Sequence, residues 1–362
     1  MKNATQKVEY CNAYSFYREL CEATTKAKRQ RLIKSCKNIN VQDHEDPDAK
    51  TALIHAAWDG NLEIVKLLVA AGAKVNVKTN GGMTALMWAA SYGHTEIVKL
   101  LIKKGAKFNY KSWYGCTALN IAAINGYLDI VKLLIESGAK LNLIGENDYG
   151  TALISAVYHG HADIVETLIK AGAKVDLKCK KDGMTALMWA VRRLGYFGDR
   201  EKVLNLLINA GAKVNLATKY DGYTALMWAC MVMSVHTGIL EMLIEKGAKL
   251  DAKDKKYGRT ALMIAASNGE TAKVKLLIKK GAKLDLKDNS GRTALMYAEA
   301  NKHADTAEIL KAVENAAGNK TKKQPTADNK PTQQISAISK IHLSPLTKGC
   351  QYLLNERLQK VK

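Results

Sequence analysis

Thr-Ala-Leu begins at Thr51, Thr84, Thr117, Thr151, Thr185, Thr224, Thr260 and Thr293, in steps of 33, 33, 34, 34, 39, 36 and 33 residues. A second phrase, Gly-Ala-Lys, closes seven of these units, with its lysines at Lys74, Lys107, Lys140, Lys174, Lys213, Lys249 and Lys283. A fixed period of this size constrains the fold more than any local motif. Each unit is one supersecondary element, too small to bury its own apolar face, so the units must stack.

One unit shows why. The Thr84 hydroxyl can accept from an exposed backbone N–H and start a helix. Ala85, Leu86, Ala89 and Ala90 follow at spacings that share a helical face, and their small side chains admit a close neighbour. Gly93 ends this short helix. A second runs through Ile97, Val98, Leu100 and Leu101, and Gly105 stands where a left-handed C-terminal cap is wanted. Neither helix is long enough to hold alone in water. Trp88, Trp189 and Trp228 sit mid-helix and are expected to pack between units.

The pattern resembles the ankyrin repeat family, in its D-x-x-G-x-T-P-L-H-x-A-A…G-x-x-x-I-V-x-x-L-L-x-x-G-A-D-V-N form, as in GNLEIVKLLVAAGAKVNVK at 60 to 78. The match covers residues 46 to 317 as eight units. It implies an all-α solenoid, with a helix-turn-helix and a β-hairpin finger per repeat. Three departures stand out. Ala replaces the family's Pro in every unit. Met replaces its His at Met87, Met188, Met227, Met263 and Met296, where the thioether is expected to pack in place of a polar tie. Lys replaces its Asp in every Gly-Ala-Lys.

Residues 1 to 45 read as a worn first capping unit, with AYSFYRELCEA and TKAKRQRLIKSC as its helices. KAKRQRLIK reads either as a charged cap helix or as a nuclear localisation signal. Extra residues lie in RRLGYFGDRE and in CMVMSVHTG, where loops are expected. Residues 318 to 334 read as a flexible basic linker. Residues 335 to 362 form an amphipathic segment, with Leu346, Cys350, Leu353, Leu354, Leu358 and Val361 near one helical face.

No phosphate loop, zinc-protease motif or activated nucleophile is present, so no enzyme, cofactor or metal is expected. His161 occupies the slot of Asn61, His94 and Tyr127, which marks it as a turn residue. The seven cysteines form no close pair, which points to a reducing compartment and a cytoplasmic protein. The N-terminus has no long apolar core, so no signal peptide is expected. No run of apolar residues is long enough to span a membrane.

What remains is recognition. The resemblance implies two binding surfaces, the hairpin tips and the concave inner face of the first helices. Inner-face positions fall seven and eight residues after each repeat Thr. Trp58, Tyr92, Ile124 and Tyr158 are expected to line up there as an exposed stripe, continued by Arg192, Arg193, Met231 and Val232. Trp, Tyr and Arg dominate binding hot spots. Trp113 and Tyr114 stand at a tip, with Tyr149, Tyr220, Tyr223, Tyr257, Lys78, Lys111, Lys180, Lys181, Lys219, Lys255, Lys256 and Arg259 at others. The formal net charge is +21, a field that speeds encounters with acidic partners. The expected function is a non-catalytic scaffold that recognises an acidic protein. Two alternatives stay open: a polyanion such as nucleic acid, or a phosphorylated ligand, on the basic surface; and a microbial effector acting in host cytoplasm or nucleus, whose C-terminal tail recruits other machinery. Oligomeric state is left open.

Overall fold

A computed structural model describes residues 13–43, 46–145, 150–193, 200–233 and 235–318. The linker beyond Gly318, the 335–362 segment, Tyr149 and most of the RRLGYFGDRE insertion lie outside the described residues. The chain divides after Lys180 into two compact units. Unit 1 holds five helix pairs: α1 (Ala13–Glu22) with α2 (Lys26–Ser35), α3 (Ala52–Asp59) with α4 (Leu62–Ala70), α5 (Ala85–Tyr92) with α6 (Thr95–Lys103), α7 (Ala118–Asn125) with α8 (Leu128–Glu136), and α9 (Ala152–His159) with α10 (Ala162–Lys170). Unit 2 holds four: α11 (Ala186–Arg192) with α12 (Arg200–Asn209), α13 (Ala225–Met231) with α14 (Thr237–Glu245), α15 (Ala261–Ser267) with α16 (Thr271–Lys279), and α17 (Ala294–Ala300) with α18 (Ala304–Gly318). Among the described residues the chain is all-α.

Each repeat Thr caps its first helix. Thr84 Oγ1 accepts from the Met87 N–H at 3.3 Å, and the other seven repeat threonines do the same three residues on. First helices pack on first helices within each unit, as α1–α3–α5–α7–α9 and α11–α13–α15–α17. They are flanked on both sides, so α5 is buried from Ala85 through Ser91. This is why the phrase is apolar all round and rich in alanine. Second helices bury only one stripe, Ile97, Val98 and Leu101 in α6. Met87, Met188, Met227 and Met263 are buried as expected, whereas Met296 in the last pair is exposed.

The polar tie that the methionines gave up is made elsewhere. His94 Nε2 lies 3.1 Å from the Trp58 carbonyl, one repeat earlier. His161 and His303 reach the Ile124 and Ser267 carbonyls in the same way, each at 3.1 Å. A second ladder runs beside Gly-Ala-Lys. The carboxamides of Asn40, Asn76, Asn109 and Asn142 accept from the backbone N–H of Lys74, Lys107, Lys140 and Lys174, at 2.7, 2.8, 2.9 and 2.9 Å. Asn215 and Asp251 repeat it in unit 2. The lysine backbone is therefore structural, and the lysine side chains point into solvent.

The expected β-hairpin fingers are tight loops rather than strand pairs. Their closing bonds include Thr79 N–H to the Met83 carbonyl at 2.8 Å and Asp254 N–H to the Arg259 carbonyl at 2.9 Å. Among the described residues the ladder reduces to isolated bridges at Gln42–Thr51 and Lys78–Thr84. The remaining backbone groups bond sideways, finger to finger: Trp113 N–H to the Gly81 carbonyl at 3.0 Å, and Lys255 N–H to the Asp221 carbonyl at 2.8 Å.

That contact leaves no room for a side chain. Gly222 has φ +73°, and a Cβ there would sit 2.8 Å from the Lys255 backbone nitrogen. Gly222→Ala is expected to cost about 1–3 kcal/mol for the left-handed backbone, and more for the displaced finger. Urea unfolding checks this. Gly247→Ala, with the same sign of φ and open space around it, isolates the conformational part.

Candidate functional site

The first-helix row of unit 1 carries an aromatic cluster. The Trp58 and Trp88 rings are 5.7 Å apart, Trp88 and Tyr92 stack at 6.2 Å, and Trp58 and Tyr92 are 6.4 Å apart. Trp88 is 1% exposed and is packing, as its place in the helix implied. Trp58 and Tyr92 on its flanks are half-buried. His55 extends the cluster, 6.2 Å from Trp58 and stacked on Tyr17 at 5.8 Å.

Lys50 lies inside this wall. Its ammonium is 4.9 Å from the Trp58 ring centre and 5.5 Å from that of Trp88. Asp48 and Asp46 hold it at 3.1 and 3.2 Å. Burial by itself would lower the Lys50 ammonium; Asp48 and Asp46 outweigh it and hold the group above its ordinary value. The same position, one residue before the repeat Thr, recurs in unit 2. Arg259 donates Nε to Asp254 at 2.9 Å and Nη2 to the Tyr223 hydroxyl. Arg292 lies 3.3 Å from Asp288, which also accepts from the Tyr297 hydroxyl at 2.6 Å. Burial raises the Asp288 carboxyl, but the Tyr297 hydroxyl, the backbone N–H groups of Arg292 and Ser290 and the Arg292 charge together keep it below the usual range.

These ion pairs escaped sequence reasoning, which set Arg259 and Tyr223 at a solvated tip. Both are 3% exposed. The signal was there as Asp46…Lys50, Asp254…Arg259 and Asp288…Arg292, an acid leading each finger and a base ending it.

The expected stripe is only partly at the surface. Ile124 and Tyr158 are 6% and 9% exposed, which corrects the expectation of an exposed row at both. Ser91, in the same register, is buried too. At Ile124 the next repeat covers this position, with α9 against α7 and the His161 ring at the Ile124 carbonyl. The register one residue later stays open, and Tyr92, Asn125 and His159 are half-buried there. The His159 and His161 rings stack at 6.1 Å. Among the described residues no cluster of three metal-ligating side chains occurs.

In unit 2, Arg192 lies along two rings, 5.2 Å from Trp189 and 4.8 Å from Trp228. Arg193, Met231 and Val232 are half-buried. The Val232 carbonyl accepts from the Lys273 ammonium at 2.7 Å. Met233, missed in the sequence, is 73% exposed. At the tips Trp113 is 73% exposed and Tyr114 half-buried. Among the described residues no helix is long and apolar enough to cross a membrane.

A family model described as ankyrin repeats (3 copies) matches six overlapping windows, residues 21–112, 75–145, 108–179, 142–218, 176–254 and 231–323. No curated protein matches the chain.

Proposed function

The chain belongs to the ankyrin repeat family, a family of protein–protein interaction scaffolds, and on that premise we propose that it is a non-catalytic scaffold for an acidic protein partner. Its contacts are on the first helices of each unit taken separately: Trp58 and Tyr92 in unit 1, and Arg192, Arg193, Met231 and Val232 in unit 2. Ile124 and Tyr158 support the unit 1 row from beneath, and Trp113 with Tyr114 adds a contact at the finger tips.

The observation that carries this reading is the Trp58–Trp88–Tyr92 cluster. Trp88 meets the packing need of the repeat. Trp58 and Tyr92 keep part of their surface open beside it, and rigid half-buried aromatics are what binding hot spots are built from. The +21 charge favours an acidic partner through encounter rate.

Affinity capture from nuclease-treated lysate at high salt, followed by binding measurements with the purified partner, tests it. Trp58→Ala/Tyr92→Ala is expected to weaken binding by about 2 kcal/mol or more per residue, while the circular dichroism stays that of the parent chain. A double variant that binds its partner as tightly as the parent removes the unit 1 aromatics, which carry this reading, from consideration.

A further inference from the structure

Unit 2 carries a second surface that the first-helix reading does not use. Its finger tips are locked side by side by backbone bonds: Lys219 N–H to the Asp182 carbonyl at 2.9 Å, Lys255 N–H to the Asp221 carbonyl at 2.8 Å, and Asn289 N–H to the Tyr257 carbonyl at 2.9 Å. The row is therefore a fixed array. Charge is largely sorted across it, Asp221 beside Tyr220 being half-buried and close enough to Lys256 to act on it. Asp254 and Asp288 turn inward and are consumed by Arg259 and Arg292. Lys219, Lys253, Lys255 and Lys256 are exposed; the Lys253 ammonium donates to the Lys287 carbonyl at 2.7 Å and that of Lys255 to the Lys219 carbonyl at 3.5 Å, both at the surface, where a phosphate can take over either bond.

Two tyrosines stand among these lysines. Tyr220 is 64% exposed and Tyr257 39%. A flexible neighbour lies over each ring: the Lys219 ammonium is 5.1 Å from the Tyr220 ring centre, and the Lys256 ammonium 5.0 Å from that of Tyr257. Beneath Tyr257 the buried Arg259 guanidinium, 4.6 Å from the ring centre, holds the ring from the protein side. Each tyrosine thus leaves one ring face toward solvent on a rigid tip, at a cost in solvation. A lysine beside it can swing from ring to ligand at little cost.

We propose that this finger-tip row binds single-stranded nucleic acid, with unpaired bases stacked on Tyr220 and Tyr257 and phosphates held by Lys219, Lys253, Lys255 and Lys256. The alternation of flat ring and cation along the row matches the alternation of base and phosphate along a single strand. A duplex keeps its bases stacked inside and would leave the rings unused. An acidic protein would meet the lysines alone.

Fluorescence anisotropy of a labelled oligothymidylate, titrated with the full chain at low salt, tests the site. The parent chain is expected to bind, with affinity falling steeply as salt rises. Tyr220→Ala/Tyr257→Ala is expected to weaken the Kd roughly tenfold per ring. Tyr220→Phe/Tyr257→Phe, which keeps the stacking faces, should bind as the parent does. Lys219→Gln/Lys255→Gln/Lys256→Gln should flatten the slope of log affinity against log salt by about 2, at roughly 0.7 per phosphate contact. All of these positions are exposed, so unchanged circular dichroism and melting are required of each variant. The proposal is overturned by three outcomes: no binding by the parent chain; an alanine pair that binds like the parent; or a duplex or a polyglutamate of matched length that binds as tightly as the single strand. The last would assign the row to general anion attraction or to an acidic protein.

Discussion

Arg259→Met is expected to cost about 3–5 kcal/mol of folding stability, the range for breaking a buried ion pair from one side. The Asp254 side chain is 0% exposed and that of Arg259 4% exposed. Removing the guanidinium leaves a carboxylate with only the backbone N–H groups of Tyr257 and Gly258, at 2.6 and 3.1 Å. It also removes the donor to the Tyr223 hydroxyl, a group that burial pushes up to about 12 and that stays neutral. By contrast, the Lys66–Glu63 pair has side chains 51% and 62% exposed, and solvent-exposed pairs of this kind contribute little to stability.

The double variant separates charge from shape. Asp254→Asn removes the buried charge while keeping an acceptor for the finger N–H groups. Asp254→Asn/Arg259→Met should therefore recover about 2 kcal/mol relative to Arg259→Met alone, within the usual range of coupling between contacting residues. Repeat arrays unfold in neighbouring blocks, so hydrogen exchange is the better reporter. Protection should fall over Asp254–Met263 and stay unchanged over Ala52–Ala70. A loss below about 1 kcal/mol in Arg259→Met would mean that water reaches the pair.

The helices of each unit were readable because their starts, ends and apolar faces rest on interactions within one repeat. A Thr at a helix start, a Gly with positive φ at its end and an apolar stripe at helical spacing are each decided by residues a few places apart. Thus Gly105 is left-handed, with φ +82°, and AYSFYRELCE, all but the last residue of the expected stretch, forms α1. The exposure of the partner row was not readable in this way. Trp58 and Ile124 hold the same register, yet one is half-buried and the other covered. The difference depends on what the following repeat places over each. Charge misled in the same manner. Arg259 looks like a solvated finger residue until the fold brings back Asp254, and Lys50 sits with Asp46 and Asp48 in the same way. The histidines show the reverse case, since His94 and His161 were legible as turn residues while their bonds to the preceding repeat were not.

Acid is expected to destabilise unit 1 through His55. The imidazole is 4% exposed, stacked on Tyr17 and next to Trp58. Burial, and then the Lys50 charge, lower it from 6.5 to about 4, against the opposing pull of Asp46, Asp59 and Asp43. The nearest carboxylate oxygen, on Asp46, is 4.0 Å away and is engaged by Lys50. The folded chain therefore keeps His55 neutral where the unfolded chain protonates it. Between pH 6.5 and about 4 the unfolded state binds the extra proton, so stability falls as pH falls across that window and the effect levels off below it. At about 1.4 kcal/mol per unit the loss amounts to about 3 kcal/mol. His55→Phe keeps an aromatic ring against Tyr17 and Trp58 and has no proton to take up. Urea unfolding at several pH values through the window, read by hydrogen exchange over Ala52–Asp59, should show the parent losing stability relative to the variant by that amount. The two curves should run parallel above pH 6.5. Parallel curves throughout would mean that the ring is protonated in place, with Asp46 turning from Lys50 to His55 at no net cost. The acid sensitivity of unit 1 would then belong to the carboxylates around Lys50.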